Sequence, residues 1–110
     1  MSQQSYLGEF EQMVLLAVLQ RSDQANGFEV RQELEESAGR RVSKGAFYTT
    51  LERLNNKGLL TWEVRPAAGN RSGLPQRHFT VTANGIAELR KSRAALERLW
   101  RGLDQVLRES

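Results

Sequence analysis

Cysteine is absent from the sequence, which removes disulfides, thiol nucleophiles and cysteine-based zinc sites together. Histidine occurs once, at His78, with no clustered carboxylates beside it in the chain, so no metal site is expected. The longest apolar run, Met13 to Leu19, is seven residues, far short of the roughly 20 needed to span a bilayer. A basic start followed by an apolar stretch and a small-residue cleavage site is also missing, so the expected compartment is the cytoplasm. There is no Ser/His/Asp order, no phosphate-binding glycine-rich loop and no dinucleotide fingerprint. Glu35 and Glu36 are adjacent on an expected helix and point to different sides of it, which is poor geometry for paired acid–base work. Neither an enzyme nor a cofactor is expected.

What remains is the composition of an ordinary folded domain, 39% hydrophobic and 26% charged over 110 residues. A core is possible at this size but not a large one, so contact with a second subunit would help. The net charge of +3 hides an uneven distribution. Residues 1–39 carry 2 basic and 7 acidic side chains, a balance of −5, whereas residues 40–77 carry 8 basic and 2 acidic, a balance of +6. The basic set is Arg40, Arg41, Lys44, Arg53, Lys57, Arg65, Arg71 and Arg77. Positive charge gathered in one segment suits a polyanion, although charge alone does not separate this from a solvated surface.

Periodicity divides the chain further. After a loose start over residues 1–6, apolar residues at 7, 10, 14, 17 and 18 predict a first helix from Leu7 to about Gln20. Met13, Leu15, Leu16 and Leu19 widen its apolar face, so burial on more than one side is expected. A second helix is expected from Gly27 to Ala38 with Gly39 as its stop, and a third from Lys44 to Lys57, capped by Ser43 and ended by Gly58. Leu60, Trp62 and Val64 alternate with polar residues, as do Arg77, Phe79 and Val81, which predicts two strands. Pro66 and Pro75, the only prolines, bracket a loop between them. Thr82 should cap a last helix running to about Leu107. Its apolar residues Ile86, Leu89, Leu96, Trp100, Leu103 and Leu107 step in a heptad-like seam interrupted only by Arg93. Such a helix would span about 37 Å, too long to be covered by its own domain, so a second copy of the same helix is the expected partner.

Three helices, a two-stranded wing and a long terminal helix make a mainly α fold with a small β-hairpin, the winged helix-turn-helix arrangement. Residues 1–81 are the expected winged-helix unit and 82–110 the dimerising helix, both parts of a single domain. In this arrangement the third helix enters the major groove of duplex DNA and the wing flanks it. The basic segment is the one so placed. The stretches Gly27-Phe28-Glu29-Val30, Ser43 to Leu54 and Lys57-Gly58-Leu59-Leu60, with Arg77-His78-Phe79 and Val81-Thr82 downstream, resemble the PadR-like family of bacterial winged-helix regulators. The resemblance covers about residues 7–91. Many members have proline where this chain has Thr49, and a Tyr-Tyr pair where it has His78-Phe79. The resemblance implies a homodimeric DNA-binding repressor, in some members relieved by a small aromatic effector.

Candidate DNA-contacting residues follow. Ser43 and Lys44 stand at a helix N-terminus, which attracts phosphate. The Tyr48 phenol either reaches a phosphate or packs partly against the wing. Thr49 is the candidate for a base edge, and Arg53 either pairs with guanine or phosphate or joins a surface ion pair. Glu52 would be repelled by phosphate unless it accepts from a cytosine amine or is paired with a nearby cation. Arg71 and Arg77 meet the DNA backbone or a minor groove, or are solvated loop charges. In the seam, Trp100 fills the dimer core or borders a gap for a planar aromatic effector. The rival to DNA binding is a winged-helix module that binds protein instead.

Overall fold

The computed structural model describes residues 5–66 and 73–109. The elements follow in the order α1 (Glu9–Arg21), a single 3-10 turn (Ser22–Gln24), α2 (Gly27–Ala38), α3 (Lys44–Asn56), β1 (Leu60–Arg65), β2 (Gln76–Val81), α4 (Ala83–Trp100) and α5 (Asp104–Glu109). Short polar side chains set three of the helix starts by accepting from otherwise unpaired backbone N–H groups. Asn26 Oδ1 accepts from Glu29 N–H at 2.8 Å, Ser43 Oγ from Ala46 N–H at 3.2 Å and Thr82 Oγ1 from Gly85 N–H at 3.0 Å. Gly39, at φ 62°, closes α2 in the left-handed conformation that side chains disfavour.

The core is made where α1, α2, α3 and the base of the hairpin meet. Val14, Leu15, Val30, Leu34, Phe47, Leu51, Leu54 and Leu60 are its largest fully buried side chains. The strands pair antiparallel from Leu60↔Val81 to Arg65↔Gln76. On the other edge of β2, Phe79 N–H donates to the Ala25 carbonyl at 2.9 Å, and Asn26 bridges to His78. The turn before α2 thus extends the small sheet. Along β1 the inward residues lose cover in sequence: Leu60 is buried, Trp62 half-buried and Val64 exposed. The hairpin therefore leaves the core as it lengthens and stands out as a wing. Ala67 to Ser72, most of the expected loop, lie outside the described residues.

Two expectations about the helices need correction. The first helix is not covered on several sides. Leu15 is buried and Met13 half-buried, but Leu16 and Leu19 are 49% and 42% exposed. The rest of the chain covers only one broad face of α1. The last helix does not run unbroken to Leu107 either. It stops at Trp100, and Gly102 at φ 78° turns the backbone before α5 begins at Asp104. Glycine takes that conformation without the steric cost a Cβ would bring. The apolar seam thus bends between Trp100 and Leu103.

The start of α4 is tied to the turn between α3 and β1. Thr82 N–H donates to the Leu59 carbonyl at 3.0 Å and Thr82 Oγ1 to the Gly58 carbonyl at 2.8 Å. Gly85 lies so close to the Leu59 carbonyl that a Cβ there would collide with it. Further along, Leu89 packs on the core, and Lys91 donates to the Ser5 carbonyl with its ammonium over the Tyr6 ring. Beyond Ala95 every residue of the helix is exposed. The Cα radius of gyration is 16.1 Å, against about 13 Å for a compact domain of this length.

Candidate nucleic-acid interface

Helix α3 buries Phe47, Thr50, Leu51 and Leu54 and turns Gly45, Thr49, Glu52 and Asn56 outward. Those four recur at i, i+4, i+7 and i+11, the spacing of one helical face. Apart from its chain neighbours and its own helix backbone, nothing among the described residues lies within 4 Å of a Cβ built on Gly45, so the approach to the start of α3 is open there. Lys44 and Arg53 are both exposed, and neither has an ion-pair partner among the described residues. Ser43 holds its expected place at the N-terminus, where its hydroxyl serves as the cap.

The wing is tied to α3 by Arg77. Its guanidinium lies over the Trp62 ring at 4.9 Å from the centroid and over the Tyr48 ring at 5.7 Å. A cation between two aromatic faces is held by both ring quadrupoles. Tyr48 in turn meets Phe47 edge to face at 5.2 Å. Its hydroxyl lies across the start of α2, in space that a Cβ on Gly27 would enter. The half-buried Tyr48 therefore packs toward the wing. A concavity of about 410 Å³ opens where the start of α2 (Gly27, Phe28), α3 (Tyr48, Glu52) and the wing (Pro75, Gln76, Arg77) converge. Arg71 lies outside the described residues.

The concentrated positive charge of residues 40–77 is smaller in space than in sequence. Arg40 pairs with Glu9 at 3.0 Å, Arg41 with Glu35 at 2.9 Å, Lys57 with Glu11 at 2.8 Å and Arg65 with Glu63 at 3.1 Å. Carboxylates of the acidic N-terminal segment thus pair three of the basic residues, and Glu63 pairs a fourth. Burial of Glu11 opposes its ionisation, but the hydrogen bonds from Lys57 Nζ and Gly8 N–H outweigh it, aided by the charges of Lys57 and Arg53. Together they hold the carboxyl below the usual range. Lys44, Arg53 and Arg77 remain as the cations on the α3 and wing face that no described carboxylate pairs.

Sequence reasoning passed over Trp62 as the second platform under Arg77, and Asn26 as the cap of α2. The Asn26-Gly27 pair followed by Glu29 carried the second signal. The first arises only from strand pairing, which sets Trp62 opposite Phe79 with ring centroids 5.9 Å apart.

In the seam, Ile86 is half-buried and Leu89 is committed to the chain's own core, so Leu96, Trp100, Leu103 and Leu107 are its exposed part. Leu99, outside the seam, is 74% exposed. No group of three potential metal-ligating side chains occurs among the described residues. Among them too, no helix is long and apolar enough to cross a membrane.

Solved structures share this architecture. A PadR-like transcription factor from Bacteroides fragilis is 23% identical, with 88% of each chain covered and a TM-score of 0.67. A PadR family transcription regulator from Clostridium difficile R20291 is 19% identical over 91% of this chain and 96% of that one, with a TM-score of 0.66. A PadR family transcriptional regulator from Eggerthella lenta is 24% identical over 90% of this chain and 86% of that one, with a TM-score of 0.64. At these identities the likeness speaks for the fold. Among curated proteins, none matches the sequence. The model of the transcriptional regulator PadR-like family matches residues 15–91, from the middle of α1 into α4. That span takes in the winged-helix core, the α3 face and the wing, and by it the chain belongs to the PadR-like family of transcriptional regulators.

Proposed function

We propose that this protein is a cytoplasmic repressor that binds operator DNA as a two-fold homodimer. The observation that carries the reading is the α3 face: an open stripe of Gly45, Thr49, Glu52 and Asn56, flanked by the unpaired cations Lys44 and Arg53. A stripe of small and hydrogen-bonding side chains fits a major groove, whose base edges lie at the bottom of a channel about 12 Å wide. Lys44 and the free backbone N–H groups after Ser43 attract phosphate. The Tyr48 hydroxyl and the Arg77 guanidinium approach the backbone from the concavity beside the wing, and Arg71 does so from the wing loop. Thr49 reads a base edge. The test is duplex binding titrated at several salt concentrations. Each neutralised phosphate contributes about −0.9 to the log–log slope, so two copies of Lys44, Arg53, Arg71 and Arg77 give about −7. A salt-independent affinity would favour a winged-helix module that binds protein instead.

The dimer rests on the uncovered end of α4, where Leu96, Leu99 and Trp100 are 52%, 74% and 45% exposed. Leu103 and Leu107 continue that surface past the bend, and Ile86 and Leu89 lie at its margin. Two such ends packed together would bury a surface too apolar to face water alone. Two-fold symmetry then calls for an inverted repeat with half-sites about 34 Å apart or a multiple of it. Trp100 packs in this interface. A second reading starts from the Arg101–Gly102 bend, which interrupts the regular packing of the seam beside the indole. A gap there would accept a planar aromatic effector whose binding alters the angle between the two α3 helices and releases DNA.

A further inference from the structure

Glu52 is the one carboxylate in the outward stripe of α3. It stands one turn beyond Tyr48 and three residues beyond Thr49, exposed and near the centre of the open face. In a groove walled by phosphates a carboxylate is repelled from both strands, so it requires compensation. One source would be a neighbouring cation within the protein. None fills that place: no Lys or Arg among the described residues lies within ion-pair distance of Glu52. Arg77 lines the same concavity but forms no ion pair with Glu52; its guanidinium stands over the rings of Trp62 and Tyr48.

The other source is the DNA. The groups that donate into the major groove are the exocyclic amines of cytosine and adenine. Adenine presents its amine beside the N7 acceptor, which repels a carboxylate. Guanine offers two acceptors, and thymine an acceptor and a methyl group. Cytosine N4 is the donor that a lone carboxylate meets without an opposing acceptor on the same base.

We propose that Glu52 is a specificity-determining residue that accepts a hydrogen bond from cytosine N4 at one position of each half-site and excludes the other bases there by repulsion. This rests on the DNA-binding reading above and deepens it. Glu52 is exposed and forms no internal bond among the described residues, so its replacement leaves the fold intact.

The test is selection from a random duplex pool with wild type, Glu52→Ala and Glu52→Gln, followed by titration of each protein on the selected duplex and on its single-position variants. Wild type should prefer cytosine at one position per half-site by about fivefold or more. Glu52→Ala should lose the preference at that position alone and bind unrelated duplexes more tightly. Glu52→Gln should move the preference toward adenine, whose N6 and N7 match an amide in two hydrogen bonds. A selected sequence that both variants reproduce unchanged overturns this inference and leaves DNA binding standing. Wild type that selects no sequence and binds without salt dependence overturns the DNA-binding reading, and this inference with it.

Discussion

At the scale of single residues, Lys44 and Thr49 lie on the same helix but should fail differently. Lys44 is a point charge at the helix start, so Lys44→Ala should weaken binding to every duplex alike and flatten the salt slope by about 1 per protomer. Thr49→Ala should change preference at one position per half-site and leave the salt slope alone. Parallel titrations on selected and unrelated duplexes separate the two, and equal losses on all sequences from both variants would refute the assignment. Glu11 belongs to stability instead. Its carboxyl titrates below the usual range when folded and within it when unfolded. Between those values the unfolded chain binds more protons. Its contribution is thus complete above the usual range and is lost as pH falls through the folded value. Glu11→Gln should cost about 1 kcal/mol at neutral pH and flatten the decline in acid, as read from urea midpoints across pH. An unchanged acid limb would mean that the Glu11–Lys57 pair does not form in solution.

At the scale of elements, most of the fold was legible because its signals are local. Helices α2 and α3 announce themselves by apolar spacing, by Ser43 as a cap and by Gly39 and Gly58 as stops, all within a few residues of the ends they define. The break after Trp100 was equally local. Gly102 followed by Asp104 is a stop and a restart, but the heptad-like spacing on either side masked it. The seating of α4 was not legible, since it depends on Gly85 meeting a carbonyl 26 positions earlier, at Leu59. Gly85→Ala tests it with two effects of opposite sign. Helix propensity favours alanine by about 1 kcal/mol, whereas the collision is with backbone and with Val81 Cγ1 at 2.6 Å. Overpacking of this kind costs about 1–3 kcal/mol. A net loss in the urea midpoint is expected, and a gain would show that α4 does not sit against Leu59.

At the scale of the whole molecule, the same seating gives the proposed dimer its consequence. Because the start of α4 is hydrogen-bonded to the turn that follows α3, a change of angle between two paired α4 helices would reach the reading helices through that turn. Leu96→Asp, on an exposed site, should yield monomers in sedimentation and much weaker operator binding without loss of helicity. A dimer of unchanged stability would shift the interface to other uncovered apolar residues, of which Leu16 and Leu19 on α1 are examples. For the effector reading, planar aromatic compounds should quench tryptophan fluorescence and release DNA in the wild type. Trp100→Leu should abolish both, with Trp62 as the internal reference. Quenching that persists in the variant would leave Trp100 as packing alone.

Periodicity, caps, breakers and the absence of cysteine are properties of neighbours in the chain, and the sequence by itself determined from them the first three helices, the two strands, the start of the fourth helix and the winged-helix class. Which cations stay available was decided only by tertiary structure. Arg40 finds Glu9 across 31 positions and Lys57 finds Glu11 across 46, distances at which sequence spacing carries no geometric information. The same holds for Arg77, whose two ring platforms come from a helix and a strand brought together by the core. Charge counted along a chain ignores partners that folding supplies, because an ion pair depends on separation in space.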